Sequence, residues 1–174
     1  MRSTLAFIAL SFALAGTADA QSAHNSDAPI NLTAEHLELQ DKANRAVAIG
    51  AVVVKQAEMT LTAARVTVAY TGQFVDGSPQ ISRLDASGGV TVTRPDQTAR
   101  SNFAVYDLNK RVVTMLGAVT LIQGGNTVNG GRLTINLDTG RAVIDGNSVG
   151  GGAPGTKSSG GRVSGTFSVP KRDN

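Results

Sequence analysis

The chain has 174 residues, 41% hydrophobic but only 4% aromatic, and contains neither cysteine nor tryptophan. That excludes thiolate chemistry, cysteine-ligated zinc and disulfide staples, so core packing and backbone ladders must hold the fold. A formal charge of +3 is too small and diffuse to argue for nucleic acid, and two tyrosines, Tyr70 and Tyr106, make a poor base-stacking surface.

The first segment reads as an export signal. Met1-Arg2 gives a positive start, Leu5 to Ala15 an apolar run, and Ala18-Asp19-Ala20 the small-x-small pattern of a cleavage site. A membrane span needs about 20 consecutive apolar residues, and this run is far shorter. Residues 1–20 are therefore expected to be removed before Gln21. Residues 21–28 are polar and aperiodic, and read as a flexible arm.

From Pro29 onward the text alternates. Ile30, Leu32 and Ala34 share one parity, and Leu37 and Leu39 resume on the other after Glu35-His36. Val52 and Val54, Met59 and Leu61, Val66 and Val68, and Val90 and Val92 keep the two-residue period. Val119 and Leu121 continue it, as do Leu133, Ile135 and Leu137. Period two with β-branched residues predicts strands with one buried face. Thr33 to Asn44 starts like a capped helix but carries no apolar stripe of helical spacing, so it reads as strand then turn.

A repeat underlies the alternation. Gly50-Ala-Val-Val-Val-Lys-Gln56 matches Gly117-Ala-Val-Thr-Leu-Ile-Gln123, and the same offset carries Arg65 to Arg132 and Val66 to Leu133. A middle copy begins at Gly88, and a partial one is expected at Gly146. One such unit cannot bury its apolar face, whereas stacked copies can bury a continuous one. Glycine at equivalent places inside strands predicts bulges that let a long sheet fold over on itself. After Gly146 the text turns to glycine and serine with scattered Lys and Arg, so 147–174 reads as a flexible basic tail in which Val163, Phe167 and Val169 could add one strand.

Chemistry-bearing clusters are sparse. His24 lies in the arm, and His36 stands between Glu35 and Glu38, which reads as a solvated strand edge and falls short of a metal site. The Gly124 to Gly131 run lacks the lysine and helix of a phosphate loop and reads as turns. No catalytic residue, metal ligand or cofactor is assigned.

Several segments together resemble a known family. Pro29-Ile-Asn-Leu32, Gly50-x-Val-x-Val54, Ala63-Ala-Arg-Val-x-Val68, Gly88 and Asn102-Phe-Ala-Val-Tyr-Asp-Leu108 are similar to the OstA-like domain, in the single-domain form of lipopolysaccharide transport. The likeness spans 29–146. It implies an all-β, stacked-repeat antiparallel jelly roll, open at both ends, working in the periplasm. It also implies an interior that holds lipid A acyl chains, and head-to-tail strand pairing with like copies and with LptC-like and LptD-like OstA-domain proteins. Alternation and repeat register put Ile30, Leu32, Val52, Val54, Val90, Val92, Ala104, Tyr106, Leu108, Val119 and Leu121 on the inward face. The resemblance makes that face the lipid-binding one. The partner-pairing strands are expected within Ile30 to Leu39 at one end, around Leu37 and Leu39, and within roughly Leu133 to Ile144 at the other, around Leu133, Ile135 and Leu137. The residues alone leave a second reading, an exported structural or carbohydrate-binding β-repeat protein with a filled core.

Overall fold

A computed structural model describes residues 24–72, 79–146 and 161–168. The expected signal peptide lies outside these residues, as do 21–23 and most of the tail. The described chain forms ten strands and one 3₁₀ turn, without α-helix. The strands are β1 (Asn31–Thr33), β2 (His36–Gln40), β3 (Arg45–Gln56), β4 (Met59–Thr71) and β5 (Gln80–Arg94). They continue with β6 (Gln97–Asp107), β7 (Val112–Gln123), β8 (Asn126–Asn136), β9 (Ala142–Asp145) and β10 (Ser164–Thr166). All pair antiparallel in one sheet of order β1-β3-β4-β5-β6-β7-β8-β10, with β2 also on β3 and β9 also on β8.

The repeat glycines are where the sheet bends. Ile49 pairs with Arg65 and Val52 with Ala63, so Gly50 and Ala51 together oppose Ala64 alone. Gly88-Gly89 likewise oppose Asn102, and Gly117-Ala118 oppose Gly131. Both residues of each doublet take positive φ, from 42° at Ala51 to 84° at Gly88. Two residues against one is a β-bulge, which kinks its strand and sharpens the local twist. Because three bulges stand at the same level in β3, β5 and β7, the whole sheet folds into two leaves.

Burial follows from the fold. Residues such as Ala48, Val66, Ala86, Ala104, Met115 and Leu133 on one leaf are buried with Val52, Leu61, Val90, Ala99 and Val119 on the other. All share the sheet's inner face, and among the described residues no second layer covers it. Exposures this low therefore require the leaves to pack on one another. The resemblance implies an interior that holds acyl chains; here the buried residues of the inner face are 0–7% exposed, so the leaves are in contact and their core is filled. Each Val or Leu so buried contributes about 1.5–3 kcal/mol.

Both terminal strands are split between the leaves. β1 and β2 pair with opposite halves of β3, and the chain crosses the bend at Ala34-Glu35, where the Glu35 N–H donates to the Gly50 carbonyl. That crossing explains the parity switch between Ala34 and Leu37. At the other edge β9 pairs with one half of β8 and β10 with the other half. The partial copy at Gly146 is thus completed from the tail, where the one extra strand that the sequence allows forms at Ser164–Thr166. β10 is short and fully exposed, so a few ladder hydrogen bonds are nearly offset by the entropy of ordering it. Removing residues 147–174 is expected to cost about 1 kcal/mol, which thermal unfolding will register as a Tm drop of a few degrees.

Candidate functional site

Among the described residues the inner face carries the continuous apolar cluster. Val52, Val54, Val90, Val92, Ala104, Tyr106, Val119 and Leu121 are buried there, and Ile30, Leu32 and Leu108 pack against the same cluster while remaining partly exposed. The eleven inward residues thus lie on one surface, spread over both leaves. At the β2 edge the face runs out into solvent: Leu37 and Leu39 pair with buried Ala48 and Ala46, yet are 52% and 53% exposed. At the other edge Phe167, 66% exposed, stands beside a cleft lined by Leu121, Val128 and Asn126.

The expected pairing residues at this second edge need correction. Leu133, Ile135 and Leu137 are 0–1% exposed core residues, the first two of them on β8, whose free side is already taken by β9 and β10. The open edge belongs to β9 and β10 instead. The expected terminal stretch, roughly Leu133 to Ile144, therefore starts one strand inside the edge and reaches it only at residues 142–144 on β9.

The mouth of the folded sheet, opposite the bend, is fastened by polar groups. Gln56 ends the inner row Val52-x-Val54-x-Gln56 and is 2% exposed. Its Oε1 accepts from the Tyr106 hydroxyl of the other leaf at 2.7 Å and lies 3.3 Å from His24 Nε2. Its Nε2 donates to the carbonyls of Ser26 and Ala28, at 2.8 and 3.0 Å. His24 is itself buried, with Nδ1 2.9 Å from Glu58 Oε1. Asp27 receives a hydrogen bond from Arg111 Nη2 at 2.8 Å, and Arg111 also reaches Asp138.

Residues 24–28 are therefore a strap. It runs from the β3–β4 turn on one leaf to the β6–β7 turn on the other, and does not hang free as the sequence suggests. The sequence signal for it is Gln56 itself, because a glutamine on the inward parity must find partners somewhere. Burial pushes the Tyr106 phenol above its usual value, so it remains a hydrogen-bond donor. Burial would raise the Glu58 carboxyl, but its own backbone N–H, the His24 hydrogen bond and the charges of His24 and Arg94 outweigh that, leaving it below its ordinary 4.5. A depressed carboxyl stabilises the fold above the unfolded value, and this is lost as pH falls through the lower folded one. The protection of residues 24–28 against hydrogen exchange, taken relative to the intrinsic rate at each pH, is accordingly expected to fall below about pH 4.5, and to lose that acid dependence in Glu58→Gln.

Among the described residues no three His, Asp or Glu side chains converge, at Glu35, His36 and Glu38 or elsewhere.

This strongly bent antiparallel sheet has known counterparts. The family model described as LptA/(LptD N-terminal domain) LPS transport protein matches residues 31–141. The chain belongs to this family. A protein of Rhizobium meliloti (strain 1021), itself uncharacterised, is 30% identical over 125 residues, covering 70% of this chain and 67% of its own length. The crystal structure of LptH from Pseudomonas aeruginosa, described as the LptA-homologous periplasmic component of a lipopolysaccharide transport device, superposes with a TM-score of 0.69. At 22% identity it covers 84% of this chain and 99% of LptH, and establishes the fold. The OstA-like jelly roll that the resemblance implied is thus the fold the chain adopts. In this family member the strand-end Gln56 and the strap at 24–28 close the mouth.

Proposed function

We propose that this family member carries lipopolysaccharide across the periplasm, holding lipid A acyl chains between its leaves as one unit of a head-to-tail bridge. The observation that carries the reading is the continuous apolar face, which reaches both edges of the sheet and ends at each in exposed apolar side chains. At about 0.8 kcal/mol per buried CH₂, such a face repays removing acyl chains from a membrane. The leaves touch along their core, so chains enter only if the leaves part. The three glycine-containing bulges are the natural hinge, and the Gln56–Tyr106 pair is the fastening that must open. The β1/β2 edge and the β9/β10 edge each offer unpaired backbone groups for strand addition. Like copies, and LptC-like and LptD-like OstA-domain proteins, are the partners that fit them.

The family description, the likeness to a periplasmic LptH and the expected signal at 1–20 support the periplasmic setting. Photocrosslinking residues placed along β3 in cells provide the test. Positions 52 and 54 face inward and should capture lipopolysaccharide, whereas position 53 faces outward and should capture little. Equal labelling of both parities would sink the inner-face assignment. The filled core favours one other reading, a structural or carbohydrate-binding repeat protein; capture of a sugar polymer at these positions, with no lipid, would decide for it.

A further inference from the structure

On one leaf the inner face turns polar in its last row. Arg94 and Gln97 are cross-strand partners, as are Gln97 and Gln123, and all follow the inward parity of Val92, Ala99 and Leu121. A trough with apolar walls and a polar lip matches an amphiphile lying with its chains inside and its head at the rim.

Arg94 is the unusual member of that row. Its side chain is only 7% exposed, and its Nε has no hydrogen-bond partner among the described residues. Its nearest charge is Glu58, whose Oε1 lies 4.0 Å from Nη2, too far for a hydrogen bond. That same carboxylate oxygen is engaged by His24 of the strap at 2.9 Å. A largely buried guanidinium with so little compensation is costly, and donors so placed suit an anion with several oxygens. The Glu58 carboxylate then stands in loosely for that anion, and the strap covers it.

We propose that Arg94 is the centre of an anion subsite at the mouth, which takes the phosphate head group of an amphiphile whose chains lie between the leaves. Gln97 and Gln123 flank it along the lip. A phosphate that displaces Glu58 from Arg94 also disturbs the Glu58–His24 contact, so head-group binding loosens the strap. This rests on the lipid-carrier reading and adds the chemical class of the head group and the residue that recognises it.

The test uses the full mature chain and compares dodecyl phosphate, dodecanol and inorganic phosphate by calorimetry. The parent should bind dodecyl phosphate about tenfold more tightly than dodecanol, as one charge-assisted contact allows. Arg94→Gln should erase that preference without weakening dodecanol, Arg94→Lys should keep part of it, and Glu58→Gln should enlarge it. Circular dichroism first establishes that each variant is folded; if Arg94→Gln is not, Arg94→Lys and Glu58→Gln carry the comparison. Equal binding of the two alkyl ligands by the parent, or an undiminished preference in Arg94→Gln, overturns the subsite and leaves the carrier reading standing. Binding of inorganic phosphate alone overturns the head-group assignment, and binding of none of the three overturns the carrier reading together with it.

Discussion

The Gly88→Val variant is expected to lose about 3–5 kcal/mol of stability, enough to leave a domain of ordinary stability largely unfolded. Two independent effects add. Gly88 has φ of 84°, which a β-branched residue adopts only under strain, and a Cβ there would stand 2.7 Å from the Ala64 Cβ. Neither the φ nor the contact relaxes alone, because the doublet Gly88-Gly89 sets the bend on which both leaves depend. Gly89→Ala is the matched control. It too has positive φ, 76°, but its Cβ would meet nothing within 4 Å, so about 1 kcal/mol is expected. Urea unfolding followed by circular dichroism measures both. Similar midpoints for the two variants would show that the bend does not depend on close approach at Gly88.

Gln56→Leu is the second large effect. Leucine nearly matches the volume but offers no polar atom, so the Tyr106 hydroxyl, His24 Nε2 and the carbonyls of Ser26 and Ala28 all lose a partner at once. Four groups left short, some able to reach water, predict a loss of about 3 kcal/mol. Hydrogen exchange should show residues 24–28 released while the β5–β6 ladder stays protected. Tyr106→Phe alone is expected to cost about 1–2 kcal/mol, with a coupling of about 1 kcal/mol to Gln56→Leu in a double-mutant cycle. An unchanged exchange rate at 24–28 would mean that the strap is held by something other than Gln56.

Much of this was legible in the residues. The two-residue period between Ile30 and Leu137 fixed which side chains face inward, because a strand has no other way to segregate them. On β3, β5 and β7 one parity persists across each bulge, from Ala48 to Val52 and from Met115 to Val119, since two positive-φ residues are inserted there. On β4 and β6 the parity switches, from Ala63 to Val66 and from Ser101 to Ala104, with no glycine to announce it. The repeat showed where the bends fall, yet not that Ala51 and Ala118 would also take positive φ, a conformation alanine rarely adopts unaided.

Local pattern by itself determined the all-β class, the stacked copies, the bends at Gly50, Gly88 and Gly117, and the membership of the inner face. Each follows from interactions between near neighbours along a strand or from the steric freedom of a single residue. Only the tertiary structure decided that the leaves meet and fill their core, that His24 to Ala28 straps the mouth, and that Ser164 to Thr166 completes the far edge. It alone brought Gln56 against Tyr106 and left Arg94 buried with an unpartnered Nε. Those contacts join segments far apart in the chain, and nothing in the alternation of either segment encodes its partner. They arise because a sheet bent at three points must bring its two lips together, and buried polar groups there must then find one another.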